Sequence, residues 1–496
     1  MPVPPVRTSA RLGGAAAVGV ALVIALGVAA NFSPLRTPND GVYYVAAARA
    51  FVETGAHVDA TVIPYGLPVT RQNGIVYALA GMMSVAGDAW PVLYALVVTA
   101  LWVWAVAAMA RCYDGLNQPE GLKASGYRGW VLAAFTFFQY DLLNDSTSFM
   151  NEALYVPVFF ALAAEVGRRL IGAVSRADVA AGLGELKPWL RVTGLGFVLV
   201  GLFFRNQHAV LLPLVATGCW LAGRRLLAIA LPVGALAAFA VYAAWLPAPV
   251  TDGYFSTLAG AESIEASDLA YAAAMFTGPL SLTKVLPYGH PLTQVAALAM
   301  AVATMVGLQR MWRRHPYLAT ACALYMAGTL AFLVLLPFVS TRYYGLVNLP
   351  LIAAWAMLLP PVLPEHDVSV RWFAVPAAVV AVVVALYVRS YLSGEKHEQA
   401  YPQLQAHQRA ADLVGQALVY SSQPRMAFWV LGVPACGSAP DDCAAARGLV
   451  TSRTVVFIGR ADEWQGQDGL RGYRIARPLT VPAEGFAAWV MEAGSS

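Results

Sequence analysis

GIVYALAGMMSVAG, residues 74–87, is the stretch on which the topology of the whole chain turns. It is apolar but short, whereas a helix that crosses a hydrocarbon core of about 30 Å needs about 20 residues. Counted as a span, it reverses the sidedness of everything that follows. Left outside the bilayer core, as an interfacial or re-entrant helix, it leaves the later loops where their charges belong. With the N-terminus cytoplasmic and 74–87 not crossing, the inner loops carry Arg111, Lys123 and Arg128, then Arg168, Arg169, Arg176, Lys187 and Arg191. Further on they carry Arg224 and Arg225, then Arg310, Arg313 and Arg314, then Arg371. The short outer loops hold only scattered cations, so the positive-inside rule is obeyed throughout, and counting 74–87 as a span breaks it.

The composition demands a membrane. The chain has 496 residues, 59% of them hydrophobic and only 12% charged, far more apolar surface than a soluble fold can hide. Its net charge of +4 is sorted by loop; it describes orientation in a bilayer and argues against nucleic acid as a partner. Apolar runs lie near 12–32, 90–110, 129–143, 152–167, 191–204, 207–222, 226–246, 291–309, 317–338, 343–363 and 372–390, which predicts about eleven spans. Residues 12–30 follow Arg7 and Arg11 as a signal peptide would, but NFSP comes directly after them, so we read an uncleaved first span.

The expected fold is thus an all-α polytopic membrane domain, 1–392, with interfacial helices in its first outer loop (33–89), followed by a small α/β extracytoplasmic domain, 393–496. The tail shifts sharply in composition: KHEQAYPQLQAHQRAADLVGQAL reads as a helix, and RTVVFIG (453–459) and YRIARPLTV (473–481) read as strands. Cys436 and Cys443 lie close together in this tail and suit a disulfide if it faces an oxidising compartment. The Ala-rich spans are ordinary membrane packing, and no internal repeat is visible.

Ionisable groups at the outer boundary are the functional candidates, because charge near the bilayer is expensive. Asp40 opens a helix whose Val42, Val45, Ala46, Phe51 and Val52 suit an interface-lying segment; the plain alternative is an N-cap. Asp145 and Glu152 flank the turn NDSTSFMNE (144–152), where Ser148 as N-cap and Glu152 complementing the helix dipole are a sufficient structural account. Arg205, Asn206, Gln207 and His208 follow one another between two spans; the arginine either snorkels to the headgroups or holds a phosphate. Arg342 occupies the outer turn FVSTRYYGLVNLP, and Lys284 and His290 lie in SLTKVLPYGHPL, with Tyr288, Tyr343 and Tyr344 suited to an aromatic belt. There is no H-E-x-x-H, C-x-x-C, P-loop or G-x-S-x-G.

The run D-G-V-Y-Y-V-A-A-A-R-A-F-V-E-T-G from Asp40, with Tyr43 and Tyr44, resembles the first outer loop of the GT-C superfamily of membrane glycosyltransferases, in particular its protein mannosyltransferase-like group. The similarity extends over about residues 10–360 in organisation: the amphipathic segment 74–87, Glu152 at the start of the fourth span, Arg205 at the outer end of the fifth, and the Arg342-Tyr343 turn. The resemblance implies an enzyme that takes a sugar from a polyprenyl-phosphate donor at the outer face of a bacterial inner membrane, with a glycan, lipid-linked sugar or protein as acceptor. It implies Asp40 as general base, Arg205, Arg342 and Lys284 on the donor phosphate, and Glu152 with Asp145 orienting the acceptor or assisting a divalent cation (Mg or Mn). Tyr43, Tyr44, Asn206, Gln207, His208, His290 and Tyr343 would line the substrate. The chain departs from better-known members in its lone first-loop acid and its lack of a WWD-like motif, which speaks against an oligosaccharyltransferase. Three other classes remain open on the residues alone: a ligase or polymerase of lipid-linked glycans, a transporter, and a non-catalytic envelope scaffold that uses the tail.

Overall fold

The computed structural model describes residues 5–31, 39–55, 62–63, 74–116, 127–204, 211–245, 265–335, 341–359, 382 and 385, and in the tail 418–421, 435–436, 454–459, 473–478 and 487–493. The expected last span at 372–390, apart from two positions, and the expected tail helix lie outside these residues. The first helices are α1 (Pro5–Asn31), α2 (Asn39–Thr54), α3 (Gly74–Ala86), α4 (Trp90–Leu116), α5 (Tyr127–Phe137), α6 (Tyr140–Thr147) and α7 (Asn151–Leu170). Later helices are Arg176–Gly184, Pro188–Phe204, Leu211–Leu221, Arg225–Trp245, Ala266–Ala273, Pro291–Arg314, Pro316–Leu335 and Asn348–Ala356. By length and composition, three helical runs among the described residues can cross a membrane: Gly74–Leu116, Pro291–Arg314 and Pro316–Val334. The chain is a multi-pass membrane protein.

Segment 74–87 behaves as its length demands. Gly87 adopts φ +52°, a left-handed conformation that ends α3, and a 3₁₀ turn, Gly87–Ala89, redirects the chain into α4. At the start of α3 the Ile75 N–H bonds the Asn151 side chain; at the start of α4 the Trp90 ring lies 5.3 Å from that of Phe149. Both ends of α3 therefore meet neighbouring residues at one end of the bundle, and α3 does not traverse it.

The contacts divide the bundle into two ends. Opposite the Asn151 end, Glu165 of α7 is held by Arg111 of α4 and by Arg168 at 3.2 Å. Arg128 donates to the Ala356 carbonyl at 2.7 Å, and Arg310 donates to the Met357 carbonyl. Between the ends the core is close-packed. Trp102 of α4 is fully buried, 4.8 Å from Phe137 and 6.0 Å from Phe160 by ring centroids. Gly129 lets α5 press on α4, since a Cβ there would come within 2.1 Å of the Ala110 carbonyl oxygen.

Two expectations need correction. The run 129–143 is not one helix: α5 stops at Phe137, and Gln139 caps a new helix by accepting from the Leu142 N–H at 2.9 Å. Ser148 does not cap α7. It closes α6, and Met150, without a side-chain bond, precedes α7. Between the helices Arg225–Trp245 and Pro291–Arg314, Tyr271, Met275, Thr277 and Ser281 are buried beside the 3₁₀ segment Thr341–Val347. The buried stretch AMFTGPL is apolar but too short to show as a span.

The described tail residues, joined by two from the loop after α2, form a sheet of strands β1 (Val62–Ile63), β2 (Leu418–Ser421), β3 (Ala435–Cys436), β4 (Thr454–Gly459), β5 (Tyr473–Pro478) and β6 (Ala487–Ala493), in the order β1-β3-β2-β4-β6-β5. β4 and β5 lie where strands were expected. β1 comes from the first outer loop and pairs in parallel with β3, Val62 with Ala435 and Ile63 with Cys436. The loop that carries α2 is thereby stitched to the tail. Cys443 lies outside the described residues.

His315 closes the end opposite Asn151. Its Nδ1 accepts from the Gly172 N–H at 2.9 Å, so Nε2 carries the proton and donates to the Leu116 carbonyl at 3.0 Å. Burial pushes its pKa below the ordinary 6.5. The neutral ring's contribution to stability is therefore complete above the unfolded value of about 6.5 and is lost as pH falls from there through the lowered folded value. The melting temperature of the detergent-solubilised protein should fall between about pH 7.5 and pH 5.5, and His315→Gln should flatten that slope; an unchanged slope in the variant removes His315 from this account.

Candidate functional site

The polar candidates converge on α6 and the turn that follows it. Gln139, Asp141, Thr147, Ser148, Asn151 and Glu152 are all at most 6% exposed, an unusual density of buried polar groups for so apolar a chain. Local chemistry explains the element. Gln139 supplies the N-cap and Asp141 complements the dipole in the first turn. At the other end, Tyr94 of α4 donates to the Ser148 carbonyl at 2.6 Å and fixes the turn into α7.

On one side α6–α7 meets the first outer loop. The α2 helix begins at Asn39, which puts Asp40 in its first turn rather than at the cap. Residues 41–48 are all buried, so the first half of α2 is enclosed, while Arg49, Val52 and Glu53 of its second half are exposed. Tyr43 and Tyr44 stand edge to face with centroids 5.3 Å apart. Asn151 donates through Nδ2 to the Tyr44 hydroxyl at 3.4 Å and accepts from Ile75 through Oδ1 at 3.2 Å. One amide therefore ties α2 and α3 to the start of α7. Tyr44 is one helical turn from Asp40, and Glu152, 6% exposed, follows Asn151 directly. The two acid-bearing helix starts are thus bound together at one end of the bundle.

On the other side α6 meets the late outer loops. Lys284 Nζ lies 2.6 Å from Asp141 Oδ1 and 5.0 Å from the centroid of the Tyr140 ring. The Tyr140 N–H donates to Ser281 Oγ at 3.0 Å. Arg342 and Tyr343 belong to the 3₁₀ segment Thr341–Val347, whose Gly345 packs so closely on Leu142 that an added Cβ would meet it at 2.8 Å. His290 caps the helix Pro291–Arg314 by accepting from the Leu292 N–H at 3.2 Å. Asp145 lies within α6. Arg205, Asn206, Gln207 and His208 lie outside the described residues; the helix that precedes them, Pro188–Phe204, passes Tyr155 of α7 with Phe197 stacked at 5.4 Å.

Gln139, Asp141, Asn151 and Ser281 were not anticipated from sequence. For Asp141 the signal is present in the sequence: a carboxylate at the edge of an apolar run is itself a candidate, but the run 129–143 reads as a span with a loop beyond it. Among the described residues no group of three or more His, Cys, Asp or Glu side chains is arranged to hold a metal ion.

These features define a multi-pass membrane protein with its polar site at one end of the helix bundle. No family sequence model matches the chain, and no curated protein matches it in sequence. Solved structures do resemble it. The ArnT of Cupriavidus metallidurans in the apo state superposes with a TM-score of 0.54 at 13% identity, over 96% of this chain and 98% of that one. The same protein bound to undecaprenyl phosphate gives 0.52 at 12% identity, over 95% and 97%. An oligosaccharyltransferase of Archaeoglobus fulgidus in its apo form gives 0.49 at 12% identity, over 89% and 69%. The chain therefore has a GT-C fold, the fold of these ArnT structures.

Because Asn151 serves two helices of the first outer loop, Asn151→Ala should destabilise the protein by about 1–3 kcal/mol, the penalty for leaving buried partners unsatisfied. Thermal unfolding in detergent checks this; a melting temperature equal to wild type would mean that the amide anchors nothing.

Proposed function

We propose that the protein is an inverting glycosyltransferase that moves a sugar from a polyprenyl-phosphate donor to an acceptor hydroxyl of a glycan, lipid-linked sugar or protein. The reaction takes place at the outer face of a bacterial inner membrane, with the N-terminus in the cytoplasm and the tail outside. The observation that carries this reading is the Asn151 bridge, which ties the Asp40-bearing and Glu152-bearing helix starts at one end of a GT-C fold. The binding of undecaprenyl phosphate by the ArnT of similar fold supports the donor class.

In this reading the Asp40 carboxylate accepts the acceptor's hydroxyl proton while that oxygen attacks the anomeric carbon from the face opposite the phosphate. The bond from the anomeric carbon to the phosphate oxygen breaks, and its electron pair leaves with the lipid phosphate. Arg205, Arg342 and Lys284 stabilise the charge that develops there. Glu152 and Asp145 orient the acceptor. Tyr43, Tyr44, Asn206, Gln207, His208, His290 and Tyr343 line the substrates.

The test is transfer of radiolabelled sugar in membranes charged with polyprenyl-phosphate sugars, comparing wild type with Asp40→Asn at equal protein levels. Removal of a general base should slow transfer by about 10²–10⁴-fold. Undiminished transfer would take the role from Asp40 and leave Glu152 or Asp145 as base. Absence of transfer by wild type from every donor would overturn the reading.

A further inference from the structure

Lys284 is the one proposed phosphate ligand whose side chain is described, and it does not stand alone. Its ammonium is 2.6 Å from Asp141, and the two groups differ in access: the Asp141 side chain is 7% exposed and the Lys284 side chain 26%. An anion arriving from the water boundary therefore meets the ammonium first and the carboxylate lies behind it. Several further contacts fix this arrangement. The Tyr140 ring lies under the ammonium at 5.0 Å, a cation–π distance. The Tyr140 N–H holds Ser281 Oγ at 3.0 Å. Ser281 has φ +51°, making it the only non-glycine residue in the left-handed region among those described. It ends the 3₁₀ segment Ala274–Leu280 and turns the chain into Leu282–Lys284. L-residues avoid this conformation unless their surroundings enforce it, and the enforced turn delivers Lys284 onto α6. Gln139 Nε2 approaches the other carboxylate oxygen of Asp141 at 3.5 Å and holds it from behind.

We propose that Asp141 is a positioning residue: with Tyr140 it aims the Lys284 ammonium outward as the seat for the phosphate of the lipid-linked donor. The inference rests on the transferase reading above and extends it to a residue that does not itself touch the donor. The ion pair is neutral while the seat is empty, and an incoming phosphate shares a cation already held in place, so lysine's rotamer entropy is not lost at the moment of binding.

The experiment separates aim from architecture by exchanging the two charges. Asp141→Asn should raise the KM for the polyprenyl-phosphate sugar about tenfold, leave the acceptor KM unchanged and lower the melting temperature. The double exchange Asp141→Lys with Lys284→Asp rebuilds an ion pair with the cation behind and the carboxylate in front. It should recover the melting temperature and not the donor KM. Wild type should also be stabilised by added undecaprenyl phosphate, and Asp141→Asn less so. If the exchange restores both melting temperature and donor KM, or if Asp141→Asn leaves the donor KM unchanged, the pair is only a brace and the proposal is overturned. If wild type neither transfers sugar nor responds to undecaprenyl phosphate, the transferase reading fails and takes the proposal with it. A wild type that does both, beside an Asp141→Asn that matches it, defeats the proposal alone.

Discussion

The Asn151 side chain is the interaction on which the site end of this protein depends. A buried amide needs partners, and this one finds them in two helices of a loop that leaves the bundle more than seventy residues earlier in the chain. Once Asn151 is fixed, α7 begins beside α2 and α3, Glu152 enters the same corner as the helix of Asp40, and α3 is prevented from crossing. Gln139 plays the complementary part at the other end of the same segment. By interrupting an apolar run and capping α6, it creates the short polar helix against which the late outer loops settle.

The two ends of the bundle are built on different electrostatic plans. At the end opposite Asn151 the charges are saturated locally: Arg111 and Arg168 on Glu165, Arg128 and Arg310 on backbone carbonyls, His315 between two backbone groups. That pattern holds helix ends together. At the site end, Lys284 of a late loop pairs with Asp141 of α6, two residues from distant parts of the chain. The sheet that joins β1 to the tail adds a link between the first outer loop and the C-terminal residues, so the segments around the site are also connected outside the bundle.

Much of the organisation was legible in sequence because it follows from length and charge. Segment 74–87 is too short to span, and the arginines of the expected loops meet at one end of the bundle. β4 and β5 showed as β-branched and aromatic runs. What stayed hidden was non-local or very short. The Lys284–Asp141 pair joins residues whose meeting no local pattern announces, and β1 and β3 span two residues each, below the length at which alternation can be seen. Asp141 was hidden by context, since an apolar run that ends in polar residues reads as a span leaving the membrane. The break at Gln139 makes it the first turn of a buried helix instead.

The central claim is that a lipid-linked phosphate is received at the Asn151–Asp141 end of the bundle. The most direct measurement is photolabelling of the full-length protein in membranes with an undecaprenyl phosphate analogue that bears a diazirine beside the phosphate, followed by peptide mapping. The account predicts label in peptides that contain residues 139–152 and 281–284, suppressed by excess undecaprenyl phosphate. Suppressible label confined to peptides around Arg111, Glu165 and His315 would put the phosphate at the wrong end of the molecule and contradict the account.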